Sequence, residues 1–430
     1  MSLADGRQLY VNLSMDAGVT YQGQHTNHDP SRRQWIVDKS GLITLSDGRH
    51  LYATQGGWVA AAAEGEGENT EQARREWTLD CDGVVSLVAD GRQLYINLKG
   101  WAGVAPAGQF TNNAPGRRLW QVHSPSALTA DLLEIPAISE AIHRYCAGGT
   151  TAVLVTRNGR VIHSKGYGTG VNSGTCLSLL SVTKQFTAMC VAMLIEEGKL
   201  ELSAPVSRYL PELNIPVNGR ELLVQDLLWH MCGLADFLSG PQWVRASNER
   251  HAQWLAKMQP KGPPGQRHSY SNSGYVLLAR VVEVIAGEPY HKFQRRRIFE
   301  VLEMSATTDH ASFNGSGRIW TTLTDYAKWD AALWRQDERL LSPSGYQMLW
   351  KRGVLDNGEH VDYGFGWFLE QVEDELKCVY HSGSGNGWSN IVRRYISDNT
   401  TVAIFTSKVP SFSRQACADE VFAVVQSLDA

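Results

Sequence analysis

The sequence predicts a multidomain chain: an all-β domain over residues 1–128, then an α/β (α+β) domain over residues 129–430 with helices packed on an antiparallel sheet. Three observations carry this. A length of 430 residues is too great for one ordinary core and suits two. The first 125 or so residues repeat themselves in a rhythm of short strands and turns. After Ser124-Pro-Ser126 the rhythm changes to helix-spaced apolar runs, set between an early hairpin and late strands.

The repeats come first. Asp5-Gly-Arg-Gln-Leu-Tyr10 returns as Asp47-Gly-Arg-His-Leu-Tyr52 and Asp90-Gly-Arg-Gln-Leu-Tyr95. Trp35, Trp77 and Trp120 keep the same register, each behind paired arginines, and so do Gly23, Gly65 and Gly108. Each unit of about 42 residues sets an Asp-Gly turn between apolar alternations, which is a hairpin signal. Three such units resemble a β-trefoil of the ricin-like or fascin-like kind. That resemblance implies four strands per unit, with the strand from Trp120 completing the ring beside the N-terminus. The repeated tryptophans read as shared core, and the turn glycines as positions of positive φ. The resemblance also offers a carbohydrate partner at the trefoil, with Trp58 and Trp101 as the aromatics to watch; fold alone does not assign that role.

In the second part, Leu132 to Tyr145 has helical spacing and ends near Gly148-Gly149. Thr151–Thr156 and Val161-Ile162 flank Asn158-Gly159, a hairpin turn pair. Ser181–Glu197 reads as a helix stopped by Gly198. Gln225–Met231 and Gly274–Ala286 read as helices, the second closed by Gly287. Tyr363–Leu369, Cys378–His381 and Thr401–Thr406 read as strands, and Arg414–Ser427 as a final helix.

Composition narrows the function. Hydrophobic content is 43%, charged content 20% and net charge −4, without a basic block, so no nucleic-acid partner is expected. The longest apolar runs are too short to span a membrane. The seven cysteines are odd in number and lack C-x-x-C spacing, so buried free thiols are expected and no metal or other cofactor. That favours a reducing, cytoplasmic setting. No signal peptide is visible, although removal of a leader would allow a periplasmic or secreted protein.

The chemistry centres on Ser181-Val-Thr-Lys184. A serine and a lysine three residues apart at a helix start share one face, which sets an amine beside a hydroxyl. The helix N-terminus favours alkoxide over alcohol and amine over ammonium. This is the chemistry of an activated nucleophile. Two later marks follow in order, Tyr270-Ser-Asn272 and His381-Ser-Gly383.

From about residue 130 onward, these motifs and their flanks resemble the serine β-lactamase-like, penicillin-binding-protein family. Its members include class C β-lactamases, D,D-peptidases, D-aminopeptidases and esterases. The flanks that match are L-S-V-T-K-Q-F-T-A-M with the segment 194–213, V-Q-D-L-L-W-H-M-C-G-L at 224–234, P-G-Q-R-H-S-Y-S-N-S-G-Y at 264–275 and Y-G-F-G-W at 363–367. The resemblance implies a serine hydrolase acting through an acyl-enzyme on a small-molecule or peptide substrate. Ser181 would attack, Lys184 would hold or accept its proton, and Tyr270 would pass it to the leaving group. A Tyr270 pKa lowered by neighbouring amines would let it help as a base. Asn272 would orient Lys184 and a substrate amide, or cap the following helix. Gly383 would let a substrate backbone approach, and the N–H groups of Ser181 and Ser384 would form an oxyanion hole.

Departures from the family pattern bear on the substrate. H-S-G stands where β-lactamases carry K-T-G, and a histidine gives positive charge only when protonated. The expectation therefore moves from penicillins toward a D-amino-acid peptide or a small ester. An acyltransferase or a true β-lactamase is the alternative within the fold. A glycan-binding or penicillin-sensing protein with little turnover is the alternative from another class. Cys232 reads as a buried substitute for a small residue, and His230 and His268 as structural.

Overall fold

The computed structural model describes the backbone of short strands between residues 2 and 121. It describes residues 134–428 in full, except 146–149, 169–170, 214–219, 237–246, 310–313, 386 and 408–412. The chain divides into two compact units, Met1–Leu128 and Thr129–Ala430.

In the first unit the strands form three antiparallel sets of four. Gln8–Val11, His50–Ala53 and Gln93–Ile96 occupy equivalent places, each paired with the strand after it: Ala17–Thr20, Val59–Ala62 and Ala102–Ala105. Ser2–Leu3 pairs with Trp120–Gln121. The repeat in sequence is thus a repeat in strand pairing. The connections and side chains of this unit, Trp58 and Trp101 among them, lie outside the described residues. The trefoil closure and the sugar site remain expectations of the sequence.

The second unit is built on a six-stranded antiparallel sheet. Its strands are β1 (Thr151–Arg157), β2 (Arg160–Tyr167), β3 (Phe368–Val372), β4 (Glu375–Gly385), β5 (Trp388–Tyr395) and β6 (Thr400–Thr406), in the order β2-β1-β6-β5-β4-β3. Asn158 and Gly159 both hold positive φ, at 52° and 67°, as a two-residue turn matching the twist of its strands requires. Both faces of the sheet are covered, so its strands alternate between two cores. Val153, Val155, Val402 and Ile404 pack with helix α1 (Pro136–Tyr145) and the C-terminal helix. Ala152, Leu154, Ala403 and Phe405 face the larger core, which holds α2 (Lys184–Glu196), α3 (Asn272–Ala286) and α4 (Leu323–Arg335). The C-terminal helix, Arg414–Ser427, is α5.

Helix α2 is the central element. Every residue from Lys184 to Leu194 is buried, the pattern of a helix surrounded by protein on all sides. Phe186 stacks on Trp329 of α4 with ring centroids 4.2 Å apart. Each such side chain contributes about 1.5–3 kcal/mol by leaving water, which holds the helix rigidly and carries Lys184 into the core with it.

Several elements differ from the sequence expectation, helix α4 having no counterpart in it. The segment 363–367 is a turn and not a strand; Gly366 holds φ 78° and packs on the start of α2, where a Cβ would lie 2.5 Å from the Lys184 carbonyl. The helix expected from Ser181 begins with a 3-10 turn, Leu180–Thr183, before α2 proper. Strand β5 has no counterpart in the sequence reading, because Arg393 and Arg394 give it a polar look. Both are buried: Arg393 pairs with Glu370 at 2.7 Å, and Arg394 pairs with Asp330 and covers the Trp334 ring at 4.0 Å. Among the described residues, no helix is long and apolar enough to cross a membrane.

Candidate active site

The site lies where the start of α2 meets the outer end of β4. The nucleophile turn is tied on two sides. Leu177–Ser178 pairs with Trp320–Thr321, and the Asn390 amide of β5 donates to the Ser178 carbonyl at 2.6 Å. Leu180, just before Ser181, holds φ 49°, a conformation unfavourable for a leucine that only a well-determined surrounding sustains. The turn presents Ser181 and starts the helix that buries Lys184.

The Lys184 ammonium or amine group is wholly enclosed (0% exposed). Its Nζ donates to the Ser181 hydroxyl at 3.3 Å, to Asn272 Oδ1 at 2.9 Å and to the Ser316 carbonyl at 2.8 Å. It stands 4.8 Å from the centroid of the Tyr270 ring. Burial disfavours the ammonium and brings the pKa from 10.5 down to about 7, with Asp236 pulling the other way. A neutral amine beside the serine is therefore well populated at neutral pH, as a proton acceptor must be.

Asn272 is the first residue of α3. Ser271 supplies the cap, its hydroxyl accepting from the Gly274 N–H at 3.1 Å, so the capping alternative for Asn272 does not hold. Its side chain spans two groups: Oδ1 accepts from Lys184, and Nδ2 donates to Asp236 at 3.3 Å. The same carboxylate accepts from the Asn272 backbone N–H at 3.0 Å.

Tyr270 exposes its ring at the mouth of the site (38%), while its hydroxyl neighbours that of Ser181. Its pKa is raised, not lowered as the sequence suggested. Burial of the phenol oxygen dominates, and the Ser181 hydroxyl offsets only part of it. Among the described residues Lys184 is the amine at hand, and burial shifts it toward its neutral form, so it does little to stabilise a phenolate. Tyr270 thus rests as a phenol that can donate a proton. Its ring is held by His230, with centroids 4.2 Å apart, and by Phe368 at 6.2 Å.

His381 is buried (1% exposed) with both ring nitrogens engaged. Nδ1 lies 2.8 Å from the Ser382 carbonyl, which can only accept, so Nδ1 carries the proton. Nε2 then accepts from the Tyr363 hydroxyl at 3.1 Å. Burial, with Lys184 nearby, takes the pKa down to about 3. His381 is a neutral strut. It supplies no charge for a substrate carboxylate.

Gly383 also meets a close approach from within the protein. A Cβ there would lie 2.7 Å from the Leu179 carbonyl and 3.2 Å from the Ser181 nitrogen. The backbone that approaches closely is that of the nucleophile turn. Ser384, next along β4 and opposite Ser389, is exposed, and its hydroxyl lies 2.7 Å from the Arg414 guanidinium.

The structure therefore brings Ser181, Lys184, Tyr270, Asn272, His381 and Gly383 together, with Ser384 beside them. Sequence reasoning missed Asp236, the Ser316 carbonyl, Tyr363 as the partner of His381, and Arg414. Tyr363 lies within Y-G-F-G-W and Asp236 just after G-L, so position gave a hint. A backbone carbonyl gives none. Cys232 is buried with its thiol pKa raised, consistent with a packing role.

Comparison with known proteins agrees with this geometry. The family model described as Beta-lactamase matches residues 141–426, and the chain belongs to that serine-hydrolase family. Penicillin-binding protein 4* of Bacillus subtilis (strain 168) is 27% identical over 313 residues, covering 60% of this chain and 67% of the relative. Protein flp of Staphylococcus aureus (strain NCTC 8325 / PS 47) is 24% identical over 284 residues, 56% of each chain. The chain thus spans between about half and two thirds of the length of these relatives. Among solved structures, the octameric penicillin-binding protein homologue from Pyrococcus abyssi has a TM-score of 0.57 at 21% identity, over 68% of this chain and 76% of its own. The D-amino acid amidase from Ochrobactrum anthropi SV3 has a TM-score of 0.57 at 19% identity, over 69% and 99%. These two show a shared fold.

Proposed function

We propose that the chain hydrolyses an amide or ester through an acyl-enzyme on Ser181, with a D-amino-acid peptide or small ester as substrate. The observation that carries this is the buried Lys184 amine, bonded to the Ser181 hydroxyl and brought to a pKa of about 7. Ser181 Oγ attacks the acyl carbon and its proton passes to Lys184 Nζ. The N–H groups of Ser181 and Ser384 hold the oxyanion. The intermediate collapses, and the leaving amine or alcohol takes a proton through Tyr270. Water then repeats the sequence on the ester.

The neutral His381 supports a substrate without a carboxylate at that position and argues against penicillins. The names of the relatives, which include a D-amino acid amidase and a D-stereospecific amidohydrolase, support the amide. The test is turnover of D-Ala-D-Ala peptides, D-amino-acid amides, 4-nitrophenyl esters and nitrocefin by the wild-type chain and by Ser181→Ala. Steady turnover of an amide or ester, lost in the variant, is expected. Unchanged turnover in Ser181→Ala would end the assignment, and a stoichiometric burst alone would point to a sensor.

A further inference from the structure

Arg414, the first residue of α5, is placed against its local preferences. A cation at a helix N-terminus meets the positive end of the dipole. Among the described residues its guanidinium meets no carboxylate, and partial burial lowers its pKa. What it does meet is the end of the sheet. Nη1 donates to the Gly383 carbonyl at 2.9 Å, to the Ser384 hydroxyl at 2.7 Å and to the Asn390 carbonyl at 3.1 Å. Such a local conflict is a mark of a position kept for function.

The direction of these bonds is informative. Gly383 faces Asn390 across the β4–β5 pair, so the guanidinium approaches from the β5 side. The Gly383–Ser384 peptide is trans, so its carbonyl and its N–H point opposite ways. The Ser384 N–H thus points to the other edge of β4. The pairing of β3 with β4 stops at Phe368 opposite Tyr380, which among the described residues leaves that edge without a strand partner beside Gly383 and Ser384. The nucleophile turn borders it, with the Ser181 nitrogen 3.2 Å from where a Gly383 Cβ would stand.

We propose that Arg414 is a positioning residue for the oxyanion hole: its charge-assisted bond to the Gly383 carbonyl polarises that peptide and aims the Ser384 N–H at the developing oxyanion. A hydrogen bond accepted at one end of an amide strengthens the donor at the other. The bonds to the Ser384 hydroxyl and the Asn390 carbonyl keep the peptide from rotating. This rests on the acyl-enzyme reading above and adds the group that tunes its electrostatics. Removing an entire oxyanion donor costs about 100- to 1000-fold in rate, so loss of its support should cost about tenfold.

The experiment compares wild type, Arg414→Ala, Arg414→Gln and Arg414→Lys in the full chain. It uses hydrolysis of 4-nitrophenyl acetate and inhibition by phenylboronic acid, whose serine adduct is tetrahedral and anionic. Thermal melting reports folding. The expected result is a fall of about tenfold in kcat for Ala, with KM nearly unchanged, a parallel loss of boronate affinity and recovery by Lys. If Ala and Gln melt like wild type and keep both kcat and boronate affinity, or if the loss lies wholly in KM, the inference is overturned. Ser181→Ala separates the two readings: if it stays active the acyl-enzyme fails, and if it is dead while the Arg414 variants are unaffected only this inference fails.

Discussion

The pH dependence of acylation follows from one group. Lys184 Nζ must be neutral to take the Ser181 proton, and its pKa is lowered to about 7. The sign runs one way: below that value the amine is protonated and the serine loses its base. At pH 5, two units lower, about 1% of sites hold the free amine, so kcat/KM should be roughly 100-fold below its plateau. His381, at about 3, is neutral throughout this range, and Tyr270 is shifted upward, so neither supplies the limb. The assay is the initial rate of 4-nitrophenyl acetate hydrolysis between pH 5 and 9 at constant ionic strength. Asp236 raises the Lys184 pKa, so Asp236→Asn should move the limb to lower pH. His268 is exposed with a pKa below its ordinary 6.5, and His268→Gln should leave the limb in place. A flat wild-type profile, or a limb that disappears with His268, would refute the reasoning.

Two structural predictions accompany it. Gly383→Ala should cost about 1–3 kcal/mol in urea unfolding and a larger share of activity, because the new methyl meets the Leu179 carbonyl and the Ser181 nitrogen; unchanged kcat/KM would contradict this. Asp330→Ala should cost about 3–5 kcal/mol, since it strands the buried Arg394 and removes the acceptor of Thr156 and Thr401. Chemical denaturation measures it, and a loss below about 1 kcal/mol would show that Arg394 finds other partners.

Burial changes the chemistry of the residue types in the motifs. Lys184, Tyr270 and His381 each carry an ordinary pKa in sequence. The core shifts the first down to a usable base, the second up to a proton donor, and the third down to a neutral strut. The downward shifts of Lys184 and His381 follow from burial, with the Lys184 charge adding to that of His381. The upward shift of Tyr270 is set by the enclosure of its phenol oxygen, which the sequence does not show.

Local pattern was enough to determine several things about this protein: the threefold repeat of the first unit, the Asn158-Gly159 hairpin, the bounds of Arg414–Ser427, and Ser181 with Lys184 one turn apart. These depend on residues near one another in the chain. The tertiary structure decided the rest. It set β5 in the sheet despite two arginines, because Asp330, Glu370 and Asp419 come from distant elements to pair with them. It set Gly383 against Leu179–Ser181, and brought Arg414 from the far end of the chain to the peptide beside the nucleophile. Contacts of that separation are made when the sheet closes, and no periodicity along the chain records them.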